Sequence, residues 1–187
     1  MGVYLICALI WIVNIKFIIQ AIREDHESEI YEHFGLPVFF TLFAIGLSQP
    51  QIGNIFAEIR WLRIIGFILF IPAAFSVAVP IVTLELKGKS KTSASPILAP
   101  SDATIMIDRG IFRIVRHPLY LGTALWSVAL ILVFQSIFSV ILGGLAICCF
   151  WMASKKEDEF NTKKFGDKYK EYMKNVPMWN AFKRLRK

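Results

Sequence analysis

Two short stretches carry the residues that could do chemistry. One is Arg109-Gly-Ile-Phe-Arg-Ile-Val-Arg-His-Pro-Leu-Tyr-Leu-Gly122, placed where polar chain meets a long apolar run. The other is the acidic cluster Glu157-Asp158-Glu159, just past the end of the next apolar run. Pro118 suits the first turn of a helix, where its missing N–H would have had no partner. Arg116 and His117 then sit at the N-terminal edge of that helix, beside free backbone N–H groups. Tyr120 and Gly122 fall in its first turns, and Gly122 leaves room for something to approach the backbone. A helix start with converging cations is suited to an anionic group.

The elements that must position these residues are membrane spans. Of the 187 residues, 56% are hydrophobic and the mean hydropathy is +0.55, while the charged residues are segregated into blocks. That pattern reads as a polytopic membrane protein rather than a soluble core. The net charge of +7 does not point to nucleic acid, because the basic residues flank apolar segments and suit anionic headgroups. Cys7, Cys148 and Cys149 all lie in apolar runs without metal-ligand or disulfide spacing, so they read as small apolar residues and no metal site is expected. The first residues have no basic segment of a cleavable signal, and Met1-Gly2 lacks the downstream hydroxyl of a myristoylation site.

A single domain, residues 1–187, is expected, all-α, with about five spans. Val3–Ile22 is long enough to cross a bilayer. Arg23–His33 is acidic and reads as a solvated connector, which would leave His26 and His33 in water. Leu36–Gln49 is apolar but short, and Gln51–Arg60 suits the interface. Trp61–Leu86 is the longest apolar run, with Pro72 and Pro80 inside it as kink sites. Three N-terminal spans thus occupy residues 1–86 and a polar connector residues 87–118, flexible over Lys87–Ser95 and folded against the membrane face over Ile97–Val115. A hairpin occupies residues 119–153: Leu119–Phe134 and Ile137–Met152 are joined at Gln135-Ser136, and Gly143 and Gly144 allow close contact. In the tail, residues 154–187, a charged helix Lys155–Lys164 ends at Gly166, and Asp167 can cap a second helix carrying Tyr169 and Tyr172. Most of the five tryptophans fall near the expected interfaces.

The polar connector and the tail hold 17 of the 21 Lys and Arg. By the positive-inside rule that face is cytoplasmic, and an odd number of spans then leaves the N-terminus outside. The short hairpin brings His117 and Tyr120 near Glu157 and Asp158 at its cytoplasmic mouth. Cations and carboxylates in one pocket suit a zwitterion that also carries positive charge. The same set would equally serve as interfacial ion pairs that orient the hairpin.

Gly110-Ile-Phe-Arg-Ile-Val-Arg-His-Pro-Leu-Tyr-Leu-Gly122, then Glu157-Asp158, then Phe165-Gly166-Asp-Lys-Tyr169-Lys-Glu-Tyr172 and Val176-Pro177, resembles the isoprenylcysteine carboxyl methyltransferase family, and the phospholipid N-methyltransferases are similar over the same stretches. The resemblance covers roughly the C-terminal half. It implies an enzyme that uses S-adenosyl-L-methionine on a lipophilic or membrane-partitioning acceptor. The cofactor would be bound by His117, Tyr120, Gly122, Glu157 and Asp158 at the cytoplasmic mouth. On that reading the sulfonium and α-ammonium meet Glu157, Asp158 and Tyr120, and the carboxylate meets backbone N–H groups with Arg113 or Arg116. Arg116 and Tyr120 are candidates for positioning, and no general base stands out.

Two departures matter. Asp158 stands where the family has glutamate. The family's substrate-holding arginine falls at Ala153, with Lys155 and Lys156 nearby as weak stand-ins that lack the flat fork; Arg113 is a third weak candidate for the substrate. The prenylcysteine reading is weakened accordingly. The rivals are a phospholipid amine methyltransferase, a non-catalytic lipid-binding protein and a nicotinamide-using membrane reductase. Glu85, Asn161 and Tyr169 are further residues placed on the same side.

Overall fold

In the computed structural model, residues 2–48, 58–87 and 106–180 are described, the side chains of 84–87 excepted. Helices α1 (Gly2–Arg23) and α2 (Glu27–Ser48) form an antiparallel pair, followed by α3 (Arg60–Lys87). A 3-10 turn over Gly110–Arg113 leads into α4 (Pro118–Phe134), α5 (Ile137–Phe165) and a short α6 (Asp167–Asn175). Four of these helices are long and apolar enough to cross a membrane, and α4, at 17 residues, is a shorter apolar one. An all-helical, polytopic membrane architecture follows.

The helices do not pack in chain order. Helix α1 lies on α2, α2 on α5, α5 on α4 and α4 on α3, so the C-terminal hairpin is inserted between the two N-terminal parts. Between helices in lipid there is little hydrophobic driving force, and close van der Waals approach decides the packing. Small residues supply it here. A Cβ on Gly35 would meet Cys149 and Phe150 of α5 at 2.9 and 3.2 Å, and one on Gly122 would meet Ser76 and Ala73 backbone of α3 at 2.9 and 3.0 Å. Of the two glycines expected to tighten the hairpin, Gly143 does so against Ile131, while nothing lies near Gly144. Val38, Phe39, Leu42, Tyr120, Leu130, Ala146, Phe150 and Ala153 form the buried centre of the bundle. Trp126 belongs to that centre rather than to an interface, with its ring edge-on to both Phe39 and Phe70. Most of α1 presents large apolar side chains outward, as a lipid-facing helix does.

Three expectations are corrected. The acidic connector shrinks to Glu24–His26, because α2 starts at Glu27 and carries Glu32 into the interior. Its polar residues find partners there: His33 Nδ1 meets Asn14 Oδ1 at 2.9 Å and its ring stacks on Phe17, so His33 is half-buried, not solvated. The charged helix expected over Lys155–Lys164 is no separate element but the continuation of α5, a single 29-residue helix. No Pro or Gly interrupts the chain between Gly144 and Gly166, so nothing stops the helix at Met152. Gly166, at φ +61, ends α5 and begins α6, leaving Asp167 inside the first turn with its carboxylate on Lys170 instead of capping. Lys87, expected in the connector, ends α3, and residues 88–95 and the side chains of Glu85 and Lys87 lie outside the described residues.

Candidate functional site

The start of α4 and the last turns of α5 meet at one end of the bundle, and α6 folds back over them. Pro118 at the first helical position and His117 at the N-cap start α4 there. Asp158 is the hub. It accepts Arg116 Nε at 3.2 Å and Nη2 at 2.7 Å, His117 Nε2 at 2.7 Å and the Tyr169 hydroxyl at 2.7 Å, and it is 6% exposed. Arg116 also donates through Nη1 to the carbonyls of Met173 and Val176, while its backbone N–H donates to Pro177 O at 3.0 Å. The C-terminal segment is thereby tied to the start of α4. Trp179 adds a second tie, Nε1 to Ser154 Oγ at 3.0 Å, and the Tyr172 hydroxyl donates to Phe112 O.

His117 stands between two carboxylates, with Nδ1 3.6 Å from Glu157 Oε2. Burial alone would push its pKa down, but Glu157 and Asp158 together outweigh burial and lift it to about 9. The imidazole is therefore a cation at neutral pH. Burial, reinforced by Asp158, pushes the Tyr169 hydroxyl far up, and burial does the same for Tyr172. Both phenols remain neutral donors.

Beside this network is a cleft, open on one side, whose roughly 650 Å³ of empty space includes the solvent at its mouth. His117, Tyr120, Glu157, Asn161, Phe112 and Phe165 are among its walls. Tyr120 is buried, and its hydroxyl donates to Glu32 Oε2 at 2.7 Å. Glu157 makes longer contacts, to His117 and to Asn161 Nδ2 at 3.5 Å, and also faces the Tyr120 hydroxyl. The cleft thus offers a carboxylate opposite a helix N-terminus that bears an imidazolium.

The sequence model of the family described as NnrU protein matches residues 4–180. The chain belongs to the NnrU family. It is also 32% identical over 76 residues to the Protein-S-isoprenylcysteine O-methyltransferase of Dictyostelium discoideum, which covers 40% of this chain and 32% of that protein. For the protein of the same name from Schizosaccharomyces pombe (strain 972 / ATCC 24843) the figures are 30% over 74 residues, 39% and 31%. The matched stretch spans about a third of the length of these curated relatives. No solved structure matches. The resemblance to isoprenylcysteine methyltransferases read from the motifs is the one these relatives carry.

In this NnrU-family chain, His117, Tyr120 and Glu157 come together on the cleft as the sequence suggests. The other expected site residues are placed differently. Asp158 is saturated by its three partners and lies behind the wall rather than in it. Arg116 touches the cleft, yet its guanidinium is committed to Asp158 and to two carbonyls. Gly122 turns toward α3, so the close approach it permits is helix packing and not ligand contact. Arg113 is exposed on the 3-10 turn. Lys155 lies over the Trp151 ring at 3.6 Å, and Lys156 pairs with Glu27 at 2.6 Å and Glu159 at 3.1 Å, so neither faces the cleft. Ala153 is fully buried. Asn161 and Tyr169 do line the cleft. Among the described residues no group of His, Cys, Asp or Glu is arranged to hold a metal ion.

Glu32 is the residue that sequence reasoning missed. A signal was present: Ser28, Glu32, Gly35, Phe39, Leu42 and Gly46 repeat at intervals of four and three, and all are buried. Such a stripe marks one helix face, and Glu32 lies on it.

Proposed function

We propose that the chain is a single-domain membrane methyltransferase that takes S-adenosyl-L-methionine into the cleft and passes its methyl group to a lipophilic acceptor. The observation that carries this is the pairing of Glu157 with a helix N-terminus and a protonated His117 across one cleft. The cofactor is a zwitterion with an additional sulfonium charge, and it supplies an electrophilic methyl carbon with a neutral thioether as leaving group. Glu157 can neutralise its cationic side. The unpaired N–H groups of the first turn of α4 can hold its carboxylate. The faces of Tyr120, Phe112 and Phe165 can cover a sulfonium. Asp158, Arg116 and Tyr169 keep His117 in place without touching the ligand.

The protein contributes alignment and exclusion of water, since methyl transfer is an in-line displacement whose rate responds mainly to orientation, worth roughly 7–11 kcal/mol in favourable cases. Acceptors enter from the bilayer and the cofactor from the cytoplasm, with the N-terminus outside, in keeping with the distribution of Lys and Arg. The deciding experiment titrates purified full-length protein in detergent with S-adenosylmethionine and, separately, with NADPH, by calorimetry. Heat from S-adenosylmethionine is expected. Heat from NADPH alone would replace this reading with the reductase, and heat from neither would replace it with a non-catalytic lipid-binding protein.

A further inference from the structure

Glu32 is 7% exposed and comes from the half of the chain that the motifs do not cover. Its Oε2 accepts the Tyr120 hydroxyl at 2.7 Å, and Tyr120 is itself a wall of the cleft. Every fully buried side-chain nitrogen or oxygen among the described residues has a hydrogen-bond partner. Glu32 Oε1 has no partner among the described residues, so the small exposed part of the residue includes that oxygen. The groups facing Glu32 are Tyr120 from α4, Glu157 from α5 and Glu29 from its own helix; no cation among the described residues pairs with it.

The charges of the site do not cancel. Asp158 is answered by Arg116, and Glu157 by the protonated His117. Glu32 is left over. A buried carboxylate without a counter-charge is costly, and a cationic group brought by a ligand would offset that cost. A carboxylate acceptor fits poorly beside it, since Arg116, Lys155 and Lys156 are engaged elsewhere and Arg113 is exposed.

We propose that Glu32 is the acceptor-side residue of the site, drawing in a lipophilic primary amine as its ammonium and taking the proton that must leave before the nitrogen can attack. The proposal rests on the methyl-transfer reading above. One proton passes from the ammonium to the Glu32 carboxylate and frees the nitrogen lone pair. That pair forms the new N–C bond as the S–C bond breaks, and the electrons of the broken bond stay on sulfur in the neutral thioether. The product leaves as a secondary ammonium, and Glu32 returns its proton to solvent. Tyr120 holds the carboxylate in register.

The test compares full-length wild type with Glu32→Gln, which keeps the shape and can still accept from Tyr120. S-adenosylmethionine binding is measured by calorimetry, and methyl transfer is measured with dodecylamine and with a farnesylated cysteine analogue. Wild type is expected to methylate the amine in preference to the carboxylate, with a rate that levels off with rising pH once Glu32 has lost its proton. Glu32→Gln is expected to bind S-adenosylmethionine within a few-fold of wild type and to lose about 100-fold or more in transfer to the amine. Its residual rate should climb about tenfold per pH unit, because it depends on free amine in solution. Undiminished transfer by Glu32→Gln overturns the proposal. So does loss of S-adenosylmethionine binding in a folded Glu32→Gln protein, which would make Glu32 a cofactor ligand. Wild-type transfer to the farnesylated carboxylate but not the amine overturns it while leaving the methyltransferase reading intact, whereas absence of S-adenosylmethionine binding by wild type defeats both. Should Glu32→Gln not fold, Glu32→Asp withdraws the carboxylate by one methylene, and the proposal requires a lower rate that still levels off with rising pH.

Discussion

The two ends of the α4–α5 hairpin are held by different physics. At the turn the capping bonds are neutral: Ser136 and Ser139 form a reciprocal local cap, and the Gln135 side chain reaches 76 residues back to both backbone groups of Ile59. At the mouth the bonds centre on buried charges, with the Asp158 carboxylate joining Arg116, His117 and the neutral Tyr169 hydroxyl. A cap at the turn satisfies backbone groups that any helix end leaves open. The mouth gathers charges that a hairpin does not need for closure. Its cost in desolvation makes sense where one member, Glu157, is kept available to a ligand.

That contrast can be broken in graded steps. Asp158→Ala strands Arg116 and the His117 cation together, so a loss of about 3–5 kcal/mol is expected, with the segment after Gly166 becoming accessible to protease while α1–α3 stay folded. A melt within 1 kcal/mol of wild type would mean that the hub is not what ties the tail down. The His117 proton gives the next effect. Its folded pKa of about 9 lies above the ordinary 6.5, so its stabilisation is complete below pH 6.5 and is lost as the pH rises from there through 9. Its size is about 3 kcal/mol at most. Thermal melts at pH 6 and pH 9.5 should differ accordingly, and the difference should vanish in His117→Gln.

Glu157→Gln sharpens the comparison at the ligand. S-adenosylmethionine affinity should fall by roughly 1.5–3 kcal/mol, while the melting temperature falls less than in Asp158→Ala, because Glu157 supports the His117 charge from 3.6 Å and makes none of the short bonds of Asp158. Equal affinity in a folded variant would remove Glu157 from the cofactor's surroundings. The smallest effect belongs to the turn. Ser136→Ala should cost about 1 kcal/mol of stability and leave ligand affinity untouched, and a changed affinity would show that the two ends are coupled.

The mouth was largely legible in the sequence, because Pro118, the short turn and the acidic pair fix which residues meet by connectivity alone. What each then does was less legible. Arg116 and Asp158 look like ligand groups in a motif, but their bonds run to each other and to carbonyls of the tail, and partners 42 to 60 residues away are invisible in a local pattern. Gly122 looked like room for a ligand, but the order in which helices pack decided that α3 fills it. Glu32 was lost for a different reason. A run of acidic residues reads as water-loving, and the four-and-three spacing beneath it was outweighed by charge. The boundary at Met152 failed because composition changes there while helix propensity does not.

The unbroken course of α5 makes the helix a ruler. Glu157 lies 20 residues beyond Ile137, and at 1.5 Å per residue that is about 30 Å along the axis, the thickness of a bilayer's hydrocarbon layer. With Ile137 at one boundary, the cleft is held at the height of the lipid headgroups on the other. An acceptor lying alongside the bundle therefore presents its reactive atom at the depth where its apolar chain ends. Chain length would then matter little to turnover, and the distance from the last methylene to the reactive atom would matter a great deal.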